Sequence, residues 1–173
     1  MNAPFEHRPA DMLGALVAAS TGTEQDYLAA ARAALARFVA QPCLLDKVPL
    51  TRTPGTYSRN FVFGDGDVSV WAMVWAPGSR TSIHDHHCSC CFAVLQGALT
   101  ETYFDVESPL LARPTRQAVR TPGFIACMMP SGPNLHQMEN FGTDYAISLH
   151  IYGYDHRQHA SSVANEYQVA QGG

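Results

Sequence analysis

The 173 residues, 46% of them hydrophobic and only 15% charged, suffice for one domain with a substantial core that needs neither disulfides nor structural metal. A formal net charge of −4, with 11 lysines and arginines that form no run, argues against nucleic acid or an anionic membrane as partner and leaves a small molecule. No apolar stretch approaches the roughly 18 residues of a membrane span, and the opening MNAPFEHRPA lacks the layout of a signal peptide, so the expected location is the cytoplasm.

In chain order, residues 10–19 and 24–40 read as helices, because they are rich in Ala and Leu and because Leu28, Leu35, Phe38 and Val39 recur at helical spacing. Thr23 with Asp26 marks a helix start and Pro42 a stop. From Thr56 the texture turns to short β-branched and aromatic runs between Gly, Pro, Asp and Asn, the signature of an all-β sandwich or barrel. Strands are expected at 56–63, 67–76, 82–86, 90–96, 99–105, 124–129, 135–140 and 145–152, with Gly64-Asp65-Gly66 as a hairpin tip. The polar tail after Tyr154 is expected to pack as a flap or short helix. The reading is one domain: a helical segment over 1–45, a β-barrel over 56–152 and a tail over 153–173. The five cysteines (Cys43, Cys88, Cys90, Cys91 and Cys127) are odd in number and three are crowded together, which suits reduced thiols.

His84 and His86 stand two apart in a predicted strand, so both imidazoles project from one face while Asp85 points away. From Gly78 to Gly97 the order is Gly, five residues, His84, one residue, His86, three residues, Cys90, six residues, Gly97, which resembles the first motif of the cupin family. Cys90 stands where many cupins have a glutamate ligand. Gly123, Pro130, Gly132, His136 and Asn140 resemble the second motif with its spacing stretched. The fold so implied is a small double-stranded β-helix, or jelly-roll barrel, preceded by α-helices. Three neutral imidazoles on one side of an ion leave open coordination positions, an arrangement that suits Fe(II). Zinc is the competing metal, because Cys88, Cys90 and Cys91 beside the histidines could supply a closed nitrogen and sulfur set.

Along 145–152, Ile147, Leu149 and Ile151 alternate with Ser148, His150 and Tyr152. The aliphatic row is expected between sheets or under the N-terminal helices, leaving Ser148, His150 and Tyr152 inside the barrel as a hydrogen-bonded chain from hydroxyl to imidazole to phenol.

The segment SIHDHHCSCCFAVLQGALTETYF, followed by LHQMEN and SLHIY, is similar to the cysteine dioxygenase family. That resemblance implies oxidation of L-cysteine by dioxygen to cysteine sulfinic acid, with Fe(II) on His84, His86 and His136 and the row of Ser148, His150 and Tyr152 beside it. TYSRNFV resembles the family segment whose arginine clamps the substrate carboxylate, which picks out Arg59, with Tyr57 nearby. Some members join a cysteine to the tyrosine of the row by a thioether. Counting from His86 selects Cys91 for this and counting back from Gly97 selects Cys90, which the strand register favours; Cys43, Cys88 and Cys127 read as small hydrophobes. Relatives acting on 3-mercaptopropionate draw an arginine from beyond the tyrosine, which here could only be Arg157, and the balance favours cysteine. A non-catalytic or zinc-binding cupin is the further alternative. A monomer or weak homo-oligomer is expected.

Overall fold

A computed structural model describes residues 9–130 and 134–170. Gly132 of the second motif, the opening residues and the extreme end of the tail lie outside them. Two helices, α1 (Pro9–Ser20) and α2 (Glu24–Ala40), and a 3-10 turn (Pro42–Leu45) precede the strands. The strands are β1 (Tyr57–Asp65), β2 (Val68–Trp75), β3 (Ile83–His86), β4 (Cys90–Gln96), β5 (Leu99–Ser108), β6 (Leu111–Arg120), β7 (Ile125–Met128), β8 (His136–Glu139), β9 (Ala146–Tyr152) and β10 (Val163–Val169). Among the described residues no helix is long and apolar enough to cross a membrane. Helix α2 starts where the sequence places it: Thr23 and Asp26 form a capping box that satisfies amide donors the first turn leaves open.

One sheet runs β1-β2-β9-β4-β7, and the other closes as β10-β3-β8-β5-β6. The first sheet is covered on both faces, which is why β2 and β4 read as nearly unbroken apolar runs and every residue of β9 is buried. Val68, Val70, Ala72, Cys91, Ala93, Leu149 and Ile151 pack under the helices against Leu16, Ala31, Leu35 and Phe38. Met73, Trp75, Phe92 and Val94 pack on the opposite face, inside the barrel. The alternation within β9 thus sends its aliphatic row to the helices and its polar row inward. Gly97 is required where β4 leaves the sheet: its φ is +70°, and a Cβ there would stand 2.8 Å from that of Ala146.

Three sequence expectations change. The first hairpin tip lies at Gly66-Asp67, because β1 pairs through Asp65 with Val68 and Gly66 takes the positive φ. The stretch Leu111–Arg120, unassigned in sequence, is a full strand paired with β5. The tail, expected as a flap or short helix, supplies β10, which pairs antiparallel with β3 and parallel with β6.

Candidate functional site

Strand β3 carries His84 and His86 on its inner face, and β8 lies beside it with His136 directly opposite His84. All three rings are buried. They offer nitrogens that lie within 4.8 Å of one another, and Nε2 of His86 is 3.2 Å from Nε2 of His136. Each ring has an outer partner for Nδ1: the Ser82 carbonyl at 3.0 Å for His84, Ser162 Oγ at 3.2 Å for His86, and Glu101 Oε1 at 2.9 Å for His136. A carbonyl and a carboxylate can only accept, so His84 and His136 carry their proton on Nδ1 and present Nε2 as a lone pair. Burial, and then the neighbouring His136, lowers the His84 pKa to about 4, and burial with both neighbouring histidines lowers that of His86 further. Neutral imidazoles with converging lone pairs repel one another unless a cation sits between them, so the donor set fits a metal ion. Among the described residues no cysteine joins this cluster, and the sulfur that a closed zinc site would need is not assembled.

The polar row of β9 lies on the same interior. Ser148 Oγ is 2.8 Å from His150 Nε2, and Tyr152 Oη is 3.2 Å from His150 Nδ1. The sequence reading overlooked Trp75, whose indole N–H donates to Ser148 Oγ at 2.8 Å. With Trp75 as an obligate donor, the arrangement that satisfies every group has Ser148 donating to Nε2 and His150 donating from Nδ1 to Tyr152. The phenolic proton is then free to face the interior. Burial, followed by the neighbouring His136 and the Arg59 guanidinium, lowers the His150 pKa to about 3, while burial and then Cys90 push Tyr152 well above the usual phenol range. The row is neutral around pH 7.

Cys90 is the direct cross-strand neighbour of Tyr152, is 1% exposed, and clusters with Cys88, Tyr152 and Tyr154. Cys91, the alternative for a thioether, pairs with Ile151 and faces the helices, on the wrong side of the strand to reach Tyr152.

Arg59 comes from β1. Its Nη1 donates to the Ala160 carbonyl and its Nη2 to Tyr154 Oη, both at 3.0 Å, and the guanidinium lies 4.6 Å from the centre of the Trp71 ring. A cavity of about 140 Å³ is lined by Tyr57, Arg59, His84, Tyr152 and Ser162 among others. Arg157 does not take part: it is largely exposed and grips Asp155 through Nε at 2.8 Å and Nη2 at 3.0 Å. The tail therefore builds the site through Ser162 and Ala160 rather than through its arginine.

Glu101, Arg120 and Tyr103 also escaped the sequence reading. The Arg120 Nε–H and the Tyr103 hydroxyl both donate to Glu101 Oε2 at 2.8 Å. Burial opposes ionisation of Glu101, but the hydrogen bond from His136, with those from Tyr103 and Arg120, outweighs it and holds the carboxyl below its ordinary value. The available signal was a glutamate two residues from Leu99 on the inward face of a predicted strand.

A double-stranded barrel whose inner wall gathers three histidines from two strands defines a cupin. Its fold is shared with a Klebsiella pneumoniae protein described as carrying a double-stranded beta-helix domain, with a TM-score of 0.52 at 19% identity over 64% of this chain and 82% of that one. The family model for cysteine dioxygenase type I matches residues 52–160, and the chain belongs to that family. It is 39% identical to cysteine dioxygenase type 1 of Danio rerio and 35% identical to that of Homo sapiens, each over 102 residues. Both matches cover 56% of this chain and 50% of the relative, so the chain spans about half the length of the curated relatives it matches.

Proposed function

We propose that the protein is a thiol dioxygenase that converts L-cysteine and O2 to cysteine sulfinic acid, using Fe(II) held by His84, His86 and His136. The observation that carries this reading is the single cavity onto which both Arg59 and His84 open, in a chain of this family. Bound there, ferrous iron would supply open coordination positions and the redox chemistry that adds both atoms of dioxygen to a thiolate sulfur, with no outside reductant.

The protein's own residues do the rest. Arg59 takes the substrate carboxylate through the N–H groups that Tyr154 and Ala160 leave unused, and those two anchors hold its fork still before substrate arrives. Tyr57 lines the same cavity. Tyr152, oriented by His150 and Ser148, keeps a proton beside the reacting sulfur because its phenol resists ionisation. Cys90 is the thioether partner of Tyr152, formed with loss of two hydrogens to dioxygen as oxidant. The five free cysteines suit the reducing cytoplasm.

The test is oxygen uptake and sulfinate formation by the ferrous protein with L-cysteine and, separately, with 3-mercaptopropionate. Cysteine is expected to be the better substrate by kcat/KM, and Arg59→Lys, which keeps the charge but loses the fork, is expected to raise KM for cysteine about 10-fold or more. A ferrous protein that consumes no oxygen with either thiol, or that prefers the mercapto acid, overturns the assignment.

A further inference from the structure

We propose that Glu101 is a positioning residue for the metal centre, fixing the ring of His136 and raising the basicity of the nitrogen it turns toward the ion. Glu101 is 0% exposed in the interior of β5, on the same face as fully buried Leu99. A carboxylate in such a place carries a desolvation cost that an apolar residue of similar volume would avoid, so its presence calls for a role beyond packing.

The division of its two oxygens points to that role. Oε2 receives both the Arg120 Nε–H and the Tyr103 hydroxyl, while Oε1 is left to His136 Nδ1 alone. Arg120 is itself pinned, 4.1 Å over the Phe124 ring and with Nη2 donating to Tyr103 Oη at 3.0 Å. Charge is thereby kept on Glu101, and the imidazole is held in one tautomer and one orientation. The other two histidines end on neutral oxygens, the Ser82 carbonyl and the Ser162 hydroxyl. The three ligands are therefore unequal: His136 alone has an anion behind it. An anion drawing on Nδ1–H enriches the ring, strengthens Nε2 as a donor and favours the more highly charged state of a redox-active ion.

This inference rests on the metal assignment made above but not on the substrate, so its test uses no thiol. Ferrous ion is titrated into the metal-free full-length protein, and the midpoint potential of the bound iron is measured, for the wild type, Glu101→Gln and Tyr103→Phe. Glu101→Gln is expected to weaken ferrous binding about 10- to 100-fold and to raise the potential. Tyr103→Phe removes a donor that competes for the same carboxylate, so it is expected to lower the potential. Shifts of opposite sign from two changes around one carboxylate are not what a purely structural ion pair produces. A folded Glu101→Gln with unaltered affinity and potential overturns the proposal. If that variant does not fold, Tyr103→Phe decides alone, and a potential that stays put or rises overturns it.

Discussion

His150 is the residue on which the outer row depends, because only a neutral imidazole can accept from Ser148 at one nitrogen and donate to Tyr152 from the other. Its pKa near 3 in the folded chain, set first by burial, lies below the roughly 6.5 of an unfolded histidine. Between those values the unfolded chain takes up a proton that the native chain refuses, so stability is lost as pH falls through the window. One such group contributes a slope of up to about 1.4 kcal/mol per pH unit. In the metal-free protein, His150→Gln is expected to flatten the dependence of the urea midpoint on pH between 7 and 5 relative to the wild type. Parallel slopes would mean that the imidazole charges freely where it sits. The same residue shows what sequence can carry. An alternation of large aliphatics with Ser148, His150 and Tyr152 states which row is inward, since the aliphatics must be covered. Alternation with Leu99 puts Glu101 inward in the same way, but neither it nor Trp75 shows in sequence which buried partner awaits an indole or a carboxylate in a strand.

The elements divide along the same line. Strands that pack apolar residues on one or both faces, such as β2, β4 and β9, were legible to within two residues, as were both helices and the Thr23 start of α2. Strands β6 and β10 were not, because nearly all of their side chains are exposed or half-buried and their strand character comes from backbone pairing, β6 with its hairpin neighbour β5 and β10 with β3 and β6 far back in the sequence. For β10 a side chain reinforces that pairing. Asp85, correctly read as pointing away from its histidine neighbours, accepts from the Asn165 backbone N–H at 2.8 Å and from the Tyr167 hydroxyl at 2.9 Å. Hydrogen bonds to a charged group contribute about 1.5–3 kcal/mol each when buried and less at a surface. Asp85→Ala is therefore expected to speed amide hydrogen exchange across Val163–Val169 while protection in β2 and β9 stays as it is. Uniform exchange in both proteins would mean that backbone pairing alone holds the tail. The consequence reaches the site, since the loop leading into β10 presents Ser162 to His86 and Ala160 to Arg59.

At the scale of the whole molecule, the largest apolar cluster and the three histidines lie in different layers. The largest cluster packs α1 and α2 on the outer face of the first sheet, whereas the three histidines belong to the second sheet and face the barrel interior. Phe38 is fully buried in the outer cluster, which contains none of the three histidines, so Phe38→Ala is expected to cost about 3–5 kcal/mol of folding stability with ferrous affinity unchanged. An ion on His84, His86 and His136 ties β3 to β8, which the paired register joins only at His84 and His136. A ligand that binds only the folded state stabilises it by about 2.7 kcal/mol at 100 times its dissociation constant. Ferrous ion at that excess should therefore raise the unfolding midpoint of the wild type and of Phe38→Ala by the same free energy, and leave His136→Ala where it was. The two effects are expected to add because the outer cluster contains none of the three histidines. A metal increment that shrinks in Phe38→Ala would show instead that the helical layer sets the spacing of the three imidazoles, and that the barrel does not hold its centre alone.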